Sequence, residues 1–250
     1  MCRICLFIGI FALLLTGPKA PAADKPATLD TDPNLAGWWK FDEATGKTAA
    51  DSSRHKRDGM LQGDFSFDKS SVPGKAGKAI QLDGKESRIE IKDYIGITGT
   101  RPRTVAAWIK TTVAKGQIVS WGTQDFGQMF TFGHIRGRVG VTPDGGYLYM
   151  NRETNDDKWH HVAVVVRKAE LPNLHDDVSL YLDGEPAEIH DIGLLDLWPI
   201  QTGDKLDVCI GRGFSGSIDD LRIYDRSLSD EEIKALFKLK TDRPLSAGRR

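Results

Sequence analysis

Cysteine is scarce in this sequence, 3 in 250 residues, and Cys2 and Cys5 fall in or beside its first apolar run. If that run is removed, Cys209 remains alone, no internal disulfide can form, and stability has to come from packing. Cys209 itself, within Leu206-Asp207-Val208-Cys209-Ile210, reads as a small buried hydrophobe. An excess of either charge is also lacking. The 34 Lys and Arg against 35 Asp and Glu give a formal net charge of -1, so there is no polycation to follow a phosphate backbone, which argues against nucleic acid as a partner. The longest apolar run, Ile4 to Leu15, is too short to cross a bilayer comfortably as a helix. Gly-x-Ser-x-Gly, His-Glu-x-x-His and a phosphate-binding glycine loop are all missing, which removes the commonest hydrolase, metalloprotease and nucleotide-binding readings.

What is present begins with an export pattern. Met1-Cys2-Arg3, the apolar run and Ala20-Pro21-Ala22 follow the basic, apolar and small-residue order of a secretory signal, so residues 1–22 are expected to be removed. That cut deletes Arg3 and Lys19 and no acid, leaving 32 basic against 35 acidic residues, a net of -3. The expectation is a secreted, periplasmic or cell-surface protein with no stable membrane insertion. Residues 23–34, rich in Pro, Ala, Asp and Thr, read as a flexible leader. One domain is expected over 35–240, and 241–250, with three arginines, as a mobile tail.

The interior carries period-two segments separated by turn residues, the pattern of short strands with one buried face. Ser87 to Lys92 alternates strictly, Thr104 to Ile109 is β-branched and aromatic, and further strands are read at Gln117 to Trp121, Gln128 to Ile135, Gly137 to Val141, Tyr147 to Met150 and Trp159 to Val166. Asp183-Gly184 between two extended runs predicts a tight hairpin, and Pro186 just beyond it predicts an edge position. One short helix is expected near the C-terminus. Ser229 and Glu232 form a capping box, Leu228 can staple against Ile233, and Ile233, Leu236 and Phe237 make one apolar stripe. Short one-sided strands must pair their apolar faces, so the fold class is all-β, a sandwich or barrel with one short C-terminal helix.

The segment Gly216-Ser217-Ile218-Asp219-Asp220-Leu221-Arg222-Ile223-Tyr224-Asp225-Arg226-Ser227-Leu228-Ser229, followed by Asp230-Glu231-Glu232-Ile233, resembles the closing signature of the laminin-G-like, concanavalin A-like jelly-roll superfamily in its bacterial exported branch. Leu35-Ala36-Gly37-Trp38-Trp39-Lys40-Phe41-Asp42-Glu43 with Asp51-Ser52-Ser53 is similar to that family's first strand and loop. Thr104 to Thr111, Trp159 to Val164 and Ser179 to Gly184 are similar to its middle strands. The resemblance spans Leu35 to Phe237 and implies a two-sheet antiparallel jelly-roll sandwich whose first and last strands are neighbours. Its relatives include sugar-binding modules, adhesion or matrix modules and, more distantly, glycosidases and lyases, so the fold by itself is a platform rather than a function.

Three chemistries compete. Strand alternation puts Asp219 on the face of Leu221 and Ile223, where a carboxylate needs a cation or several donors. The resemblance implies a structural calcium ion held by Asp219 and Asp51. Against it, Ser53-Arg54-His55-Lys56-Arg57 replaces the family's usual acid-loop sequence, and ion pairing or backbone donors are the competing reading. A carbohydrate site needs an aromatic plate and polar side chains around it. The candidates are Trp121, His134, Arg136, Arg138, Tyr147, Tyr149 and Asn151, with Tyr147 and Tyr149 on one strand face, whereas Trp39, Trp108 and Trp159 read as core. Hydrolysis needs two carboxylates across a bond. The acids here are adjacent pairs (Asp42-Glu43, Asp156-Asp157, Asp176-Asp177, Asp219-Asp220), and no Glu-x-Asp-x-x-Glu strand occurs. His160 is expected to face solvent. The expected function is therefore a noncatalytic binding module for a glycan or, alternatively, a cell-surface or matrix protein, with a polysaccharide-degrading enzyme as the remaining alternative.

Overall fold

The computed structural model describes residues 28–193 and 199–239. The expected signal, its cleavage sequence, the start of the leader and the tail at 241–250 lie outside the described residues. In chain order the elements are β1 (Leu35–Trp39), β2 (Thr48–Ala49), β3 (Gly59–Gln62), α1 (Phe67–Ser70), β4 (Ser71–Pro73), β5 (Lys78–Asp83), β6 (Arg88–Ile91), β7 (Arg103–Lys110) and β8 (Gln117–Gly122). They continue with β9 (Met129–Ile135), β10 (Arg138–Thr142), β11 (Tyr147–Met150), β12 (His160–Val166), β13 (Val178–Leu182), β14 (Glu185–Pro186), β15 (Ile189–Gly193), β16 (Leu206–Ile210), β17 (Ser215–Tyr224) and α2 (Asp230–Lys238).

Two antiparallel sheets result. One, of eight strands, runs β14-β13-β12-β7-β17-β5-β4, with β1 also paired to β17; the other, of nine, runs β15-β11-β10-β9-β8-β16-β6-β3-β2. The first and last strands are thus neighbours, with Trp38 opposite Arg222 and Trp39 opposite Leu221. The core lies between the sheets. Val105, Ala107 and Ile109 of β7, Val162, Val164 and Val166 of β12, and Ile218, Leu221 and Ile223 of β17 meet Val119 and Trp121 of β8, Phe130 and Phe132 of β9, and Val139 and Val141 of β10. Burying those apolar faces is the main favourable term in the fold.

A second, smaller apolar layer covers the outside of the eight-stranded sheet. Ile233 and Leu236 of α2 pack with Leu228 on Ala106, Ala163, Val165, Tyr181 and Tyr224. Central strands β7 and β12 are therefore buried on both faces, which is why they read as continuous apolar runs rather than alternating ones. The helix starts as its sequence predicts: Ser229 accepts from Glu232 N–H and Glu232 returns to the Ser229 N–H. The one-turn helix α1 was not expected, because four residues are too few to display a 3.6 period. Asp183 and Gly184 both have positive φ, 54° and 84°, the primed turn that Asp-Gly favours, and Pro186 lies on edge strand β14.

The leader is not loose at its inner end. Asp30 receives Arg222 Nη1 at 2.6 Å, the Leu29 carbonyl accepts from the Tyr224 hydroxyl at 3.1 Å, and Asp32 receives Arg226 Nε at 2.9 Å. The closing motif thus holds residues 29–32 against the domain, and the reading of 23–34 as uniformly flexible fails there because these polar partners lie 190 or more residues away in sequence.

Candidate functional site

In the central hairpin region the expected ligand residues are engaged by other side chains and backbone groups of the protein. Trp121 is fully buried, stacked on Phe130 with ring centroids 4.4 Å apart, and its indole N–H donates to the Ile97 carbonyl at 3.0 Å. It is core, because β8 turns that face toward the other sheet. Tyr147 and Tyr149 do share the outer face of β11, but their rings stack on each other, centroids 5.5 Å apart at 22°. The outer faces of this pair are taken too: the Arg136 guanidinium sits 4.5 Å from the Tyr147 centroid, and His190 stacks on Tyr149 at 5.5 Å. Tyr149 is only 4% exposed. Ring faces used in this way cannot also be a plate for a sugar.

The polar candidates around this ladder are engaged in it. Arg138 donates to the Asn151 carbonyl at 2.8 Å and pairs with Glu153 at 3.4 Å. The Asn151 side chain donates to Glu188 at 3.1 Å and meets His190 Nδ1 at 3.1 Å. His134 stacks on Phe214, and burial pushes its imidazole down to about 4. These contacts tie Arg138, Asn151, Tyr147 and Tyr149 into a polar and aromatic brace at the surface, where Arg136 and Asn151 stay exposed and Asn151 lines a cleft of about 280 Å³ with Glu188.

The two acids expected to hold calcium are surrounded by hydrogen donors. Asp51 is 2% exposed. Its Oδ1 accepts the N–H groups of Trp38 at 2.9 Å and Ser53 at 2.8 Å, and its Oδ2 accepts the Ser53 hydroxyl at 2.7 Å and the Arg57 N–H at 2.8 Å. Asp219 Oδ2 accepts the Lys75 and Ala76 N–H groups at 2.8 and 3.1 Å. Calcium requires six to eight oxygen ligands; both oxygens of Asp51 are already taken by N–H and O–H donors, which does not suit that role, and of Asp219 the Oδ2 is taken by N–H donors. Among the described residues no group of three or more His, Cys, Asp or Glu is arranged to hold a metal ion.

Asp219 also faces away from where alternation put it. Asp220 has φ 52°, and the β17–β7 register shifts between Asp219 and Arg222. One residue is therefore inserted and the parity of the strand changes. Ile218 joins Leu221 and Ile223 in the core, while Asp219, opposite Trp108, lies on the outer face. Asp220 accepts the Trp38 indole N–H at 2.5 Å and receives Arg222 Nε at 3.3 Å. Asp219 thus anchors the loop at Lys75 and Ala76, while Asp220 ties β17 to Trp38 of β1.

An open site lies elsewhere, on the outer face of the eight-stranded sheet beside its β4 edge and past the cover of α2. It is a cleft of about 370 Å³ whose lining includes Gln81 of β5, Lys110 of β7, Ser217 of β17, and Asp157 and Trp159 from the loop before β12. Trp159 is half-buried. Trp38, Trp108 and Trp121 are all engaged by cations or other rings, but Trp159 has no hydrogen-bond, cation or ring partner among the described residues. Around it, Lys110 Nζ and Asp157 Oδ1 are 3.5 Å apart, and the Ser217 hydroxyl donates to Gln81 Oε1 at 2.7 Å. Gly216, at φ 148°, lets β17 approach β7 here: a Cβ would lie 2.5 Å from the Lys110 carbonyl. Sequence reasoning assigned Trp159 to the core because it adjoins the apolar run of β12. The strand starts one residue later, at His160, and the indole falls just outside it.

The cleft loop is tied down by an imidazole. His160 is 3% exposed, contrary to its expected solvent position, with Nδ1 3.0 Å from Asp183 and Nε2 3.0 Å from Asp156. Two carboxylate acceptors require both ring nitrogens to donate, so the ring is held as the imidazolium. The Asp183 hydrogen bond is the main cause of its raised pKa, with the Asp156 bond adding to it against the opposing effect of burial. At Asp156 desolvation acts upward, but hydrogen bonds from His160 and Lys158 outweigh it and bring the carboxyl to about 2.

The sign of the pH effect follows from the imidazole. A raised folded-state pKa means that the folded state holds the extra proton, so this contribution is complete below the unfolded value of about 6.5 and is lost as pH rises through the folded value. We expect the melting temperature to decline from near pH 6 toward pH 9, and His160→Gln to flatten that decline. Thermal melts of both proteins across this range check it; equal slopes would remove the clamp as the cause.

The family model described as the concanavalin A-like lectin/glucanases superfamily matches residues 83–234. The fold is similar to domain 4 of AbnA, a GH43 extracellular arabinanase from Geobacillus stearothermophilus, solved in complex with arabinotriose, with 19% identity and a TM-score of 0.59 over 81% of this chain and 98% of that one. It is similar also to the binding domain of Paraclostridial mosquitocidal protein 1, with 14% identity, TM-score 0.50 and coverage of 79% of this chain and 52% of that one. For Trypanosoma rangeli sialidase the values are 16% and 0.50, over 82% of this chain and 33% of that one. This chain thus spans about half of the toxin domain's length and a third of the sialidase's, and at these identities the likeness is one of fold. No curated protein matches the sequence. With more than half of its length matched by the family model, the chain belongs to the concanavalin A-like lectin/glucanase superfamily.

Proposed function

We propose that this protein is an exported, noncatalytic carbohydrate-binding module whose ligand lies against Trp159. The observation that carries the reading is the half-buried indole with no protein partner, set in a cleft of about 370 Å³, a volume within the roughly 300–1,000 Å³ of small-ligand sites. An indole face suits the C–H side of a sugar ring, while Gln81, Ser217, Lys110 and Asp157 supply donors and acceptors for its hydroxyls. The related fold crystallised with arabinotriose supports a glycan as the ligand class. The cleft holds one carboxylate, Asp157, and glycosidic cleavage by an acid/base couple uses two, so no turnover is expected. Among the described residues no helix is long and apolar enough to cross a membrane.

The test is a glycan array on the full-length chain, followed by titration of the hits with indole fluorescence. Saturable binding with a change in tryptophan emission supports the reading. Binding to no glycan removes it and turns attention to a protein partner, and release of reducing sugar from a bound polysaccharide overturns the noncatalytic part.

A further inference from the structure

We infer that the Trp159 cleft selects uncharged glycans, and that Asp157 is the residue that excludes acidic ones. The inference rests on the carbohydrate-binding reading and adds the ligand class. Its basis is that the one cation of the cleft wall among the described residues, Lys110, faces its own acid, while the loop cations Lys158 and Arg152 lie beside acids they share with His160. Lys110 stands 3.5 Å from Asp157, Lys158 lies 3.3 Å from Asp156, and Arg152 is 4.0 Å from Asp183.

Position makes the Lys110–Asp157 pair the decisive one, because both residues line the cleft. The Asp157 backbone is fixed by its N–H bond to the Thr111 carbonyl at 3.1 Å and by its left-handed φ of 61°, a conformation that Asp tolerates better than most residues. The carboxylate is 66% exposed and the ammonium 37%, so the pair is a weak surface bridge that a ligand can open at little cost.

What can open it depends on charge. A sugar hydroxyl is both donor and acceptor: it gives its hydrogen to Asp157 and accepts one from Lys110, so two neighbouring hydroxyls on one ring can engage both groups. A uronate carboxylate or a sulfate gains the ammonium but meets the Asp157 carboxylate at similar range, and the like-charge repulsion cancels the attraction. The other polar groups noted in the wall, the Gln81 amide and the Ser217 hydroxyl, are neutral. Specificity here comes from the repulsive element as much as from the attractive ones.

The experiment is calorimetric titration of the full-length chain with neutral oligosaccharides (arabinotriose, xylotriose, mannotriose) and with acidic ones of matched length (trigalacturonate and a sulfated trisaccharide). It is run on the wild type, Asp157→Asn and Trp159→Ala at fixed ionic strength. The expected result is a neutral ligand bound about tenfold or more tighter than any acidic one, with the ratio falling to about threefold or less in Asp157→Asn, the rejecting charge being gone. Acidic ligands bound as well as neutral ones by the wild type, or a ratio unchanged by Asp157→Asn, overturns the selectivity and leaves the binding reading in place if Trp159→Ala still weakens binding by about 30-fold or more. Absence of binding to every probe overturns the carbohydrate reading itself, and this inference with it.

Discussion

Replacing Trp159 by Ala is expected to weaken glycan binding by about 30-fold or more, the cost of removing a central aromatic anchor of roughly 2 kcal/mol or above. The fold should survive the change. Trp159 lies outside β12 and belongs to neither apolar cluster, so truncating it leaves no core cavity, and the melting temperature should move by only a few degrees. Trp159→Phe keeps a ring of smaller area and should recover part of the affinity. Titration of a glycan identified on the array, with a melt of each variant, checks both halves. Unchanged affinity in Trp159→Ala would move the ligand away from this cleft. Lost affinity with a collapsed melt would make the indole structural, and the Phe variant separates the two outcomes.

Asp51→Ala is expected to be among the most destabilising single changes outside the core. The carboxylate satisfies three backbone N–H groups and one hydroxyl at 2% exposure. Each buried donor left without an acceptor costs about 1–3 kcal/mol, so with partial relief by entering water the loss should be about 3 kcal/mol or more. For a domain of this size that corresponds to a fall in melting temperature of roughly 6–12 °C. Asp51→Asn retains one acceptor oxygen and should lose about half as much. The same melts with millimolar calcium and with chelator separate the two accounts of this residue. If the donors alone stabilise Asp51, wild type and variant melt at temperatures independent of calcium. A calcium-dependent rise in the wild type that vanishes in Asp51→Ala would restore the ion.

Much of the architecture was legible because it depends on local signals. The period-two segments, the Asp183-Gly184 turn, the edge position of Pro186 and the capping box at Ser229 and Glu232 need only near neighbours in the chain to take effect. The closing motif was legible as a strand, but its polar residues were not. Parity along β17 changes at Asp220, and a one-residue insertion cannot be seen in a pattern that counts by twos. That single bulge turns Asp219 to the outer face and overturns its expected environment. The tyrosines of β11 show a different limit. Their shared face followed from alternation, whereas the use of both ring faces depended on Arg136 and on His190, the latter from a strand that begins well downstream at Ile189.

By itself the sequence determined an all-β class, since short one-sided strands must bury their apolar faces against one another, and the pairing of its ends followed from the family resemblance of its first and closing segments. Tertiary structure decided which aromatic is left open. Trp121, Tyr149 and Trp159 are all aromatic residues in or beside β-strands, and nothing local distinguishes them. Their fates differ because one faces the opposite sheet, one is sandwiched by its neighbours, and one sits just before a strand at a place the covering helix does not reach. Exposure of a ring is a property of what packs on it, and that is fixed only when all the layers are in place.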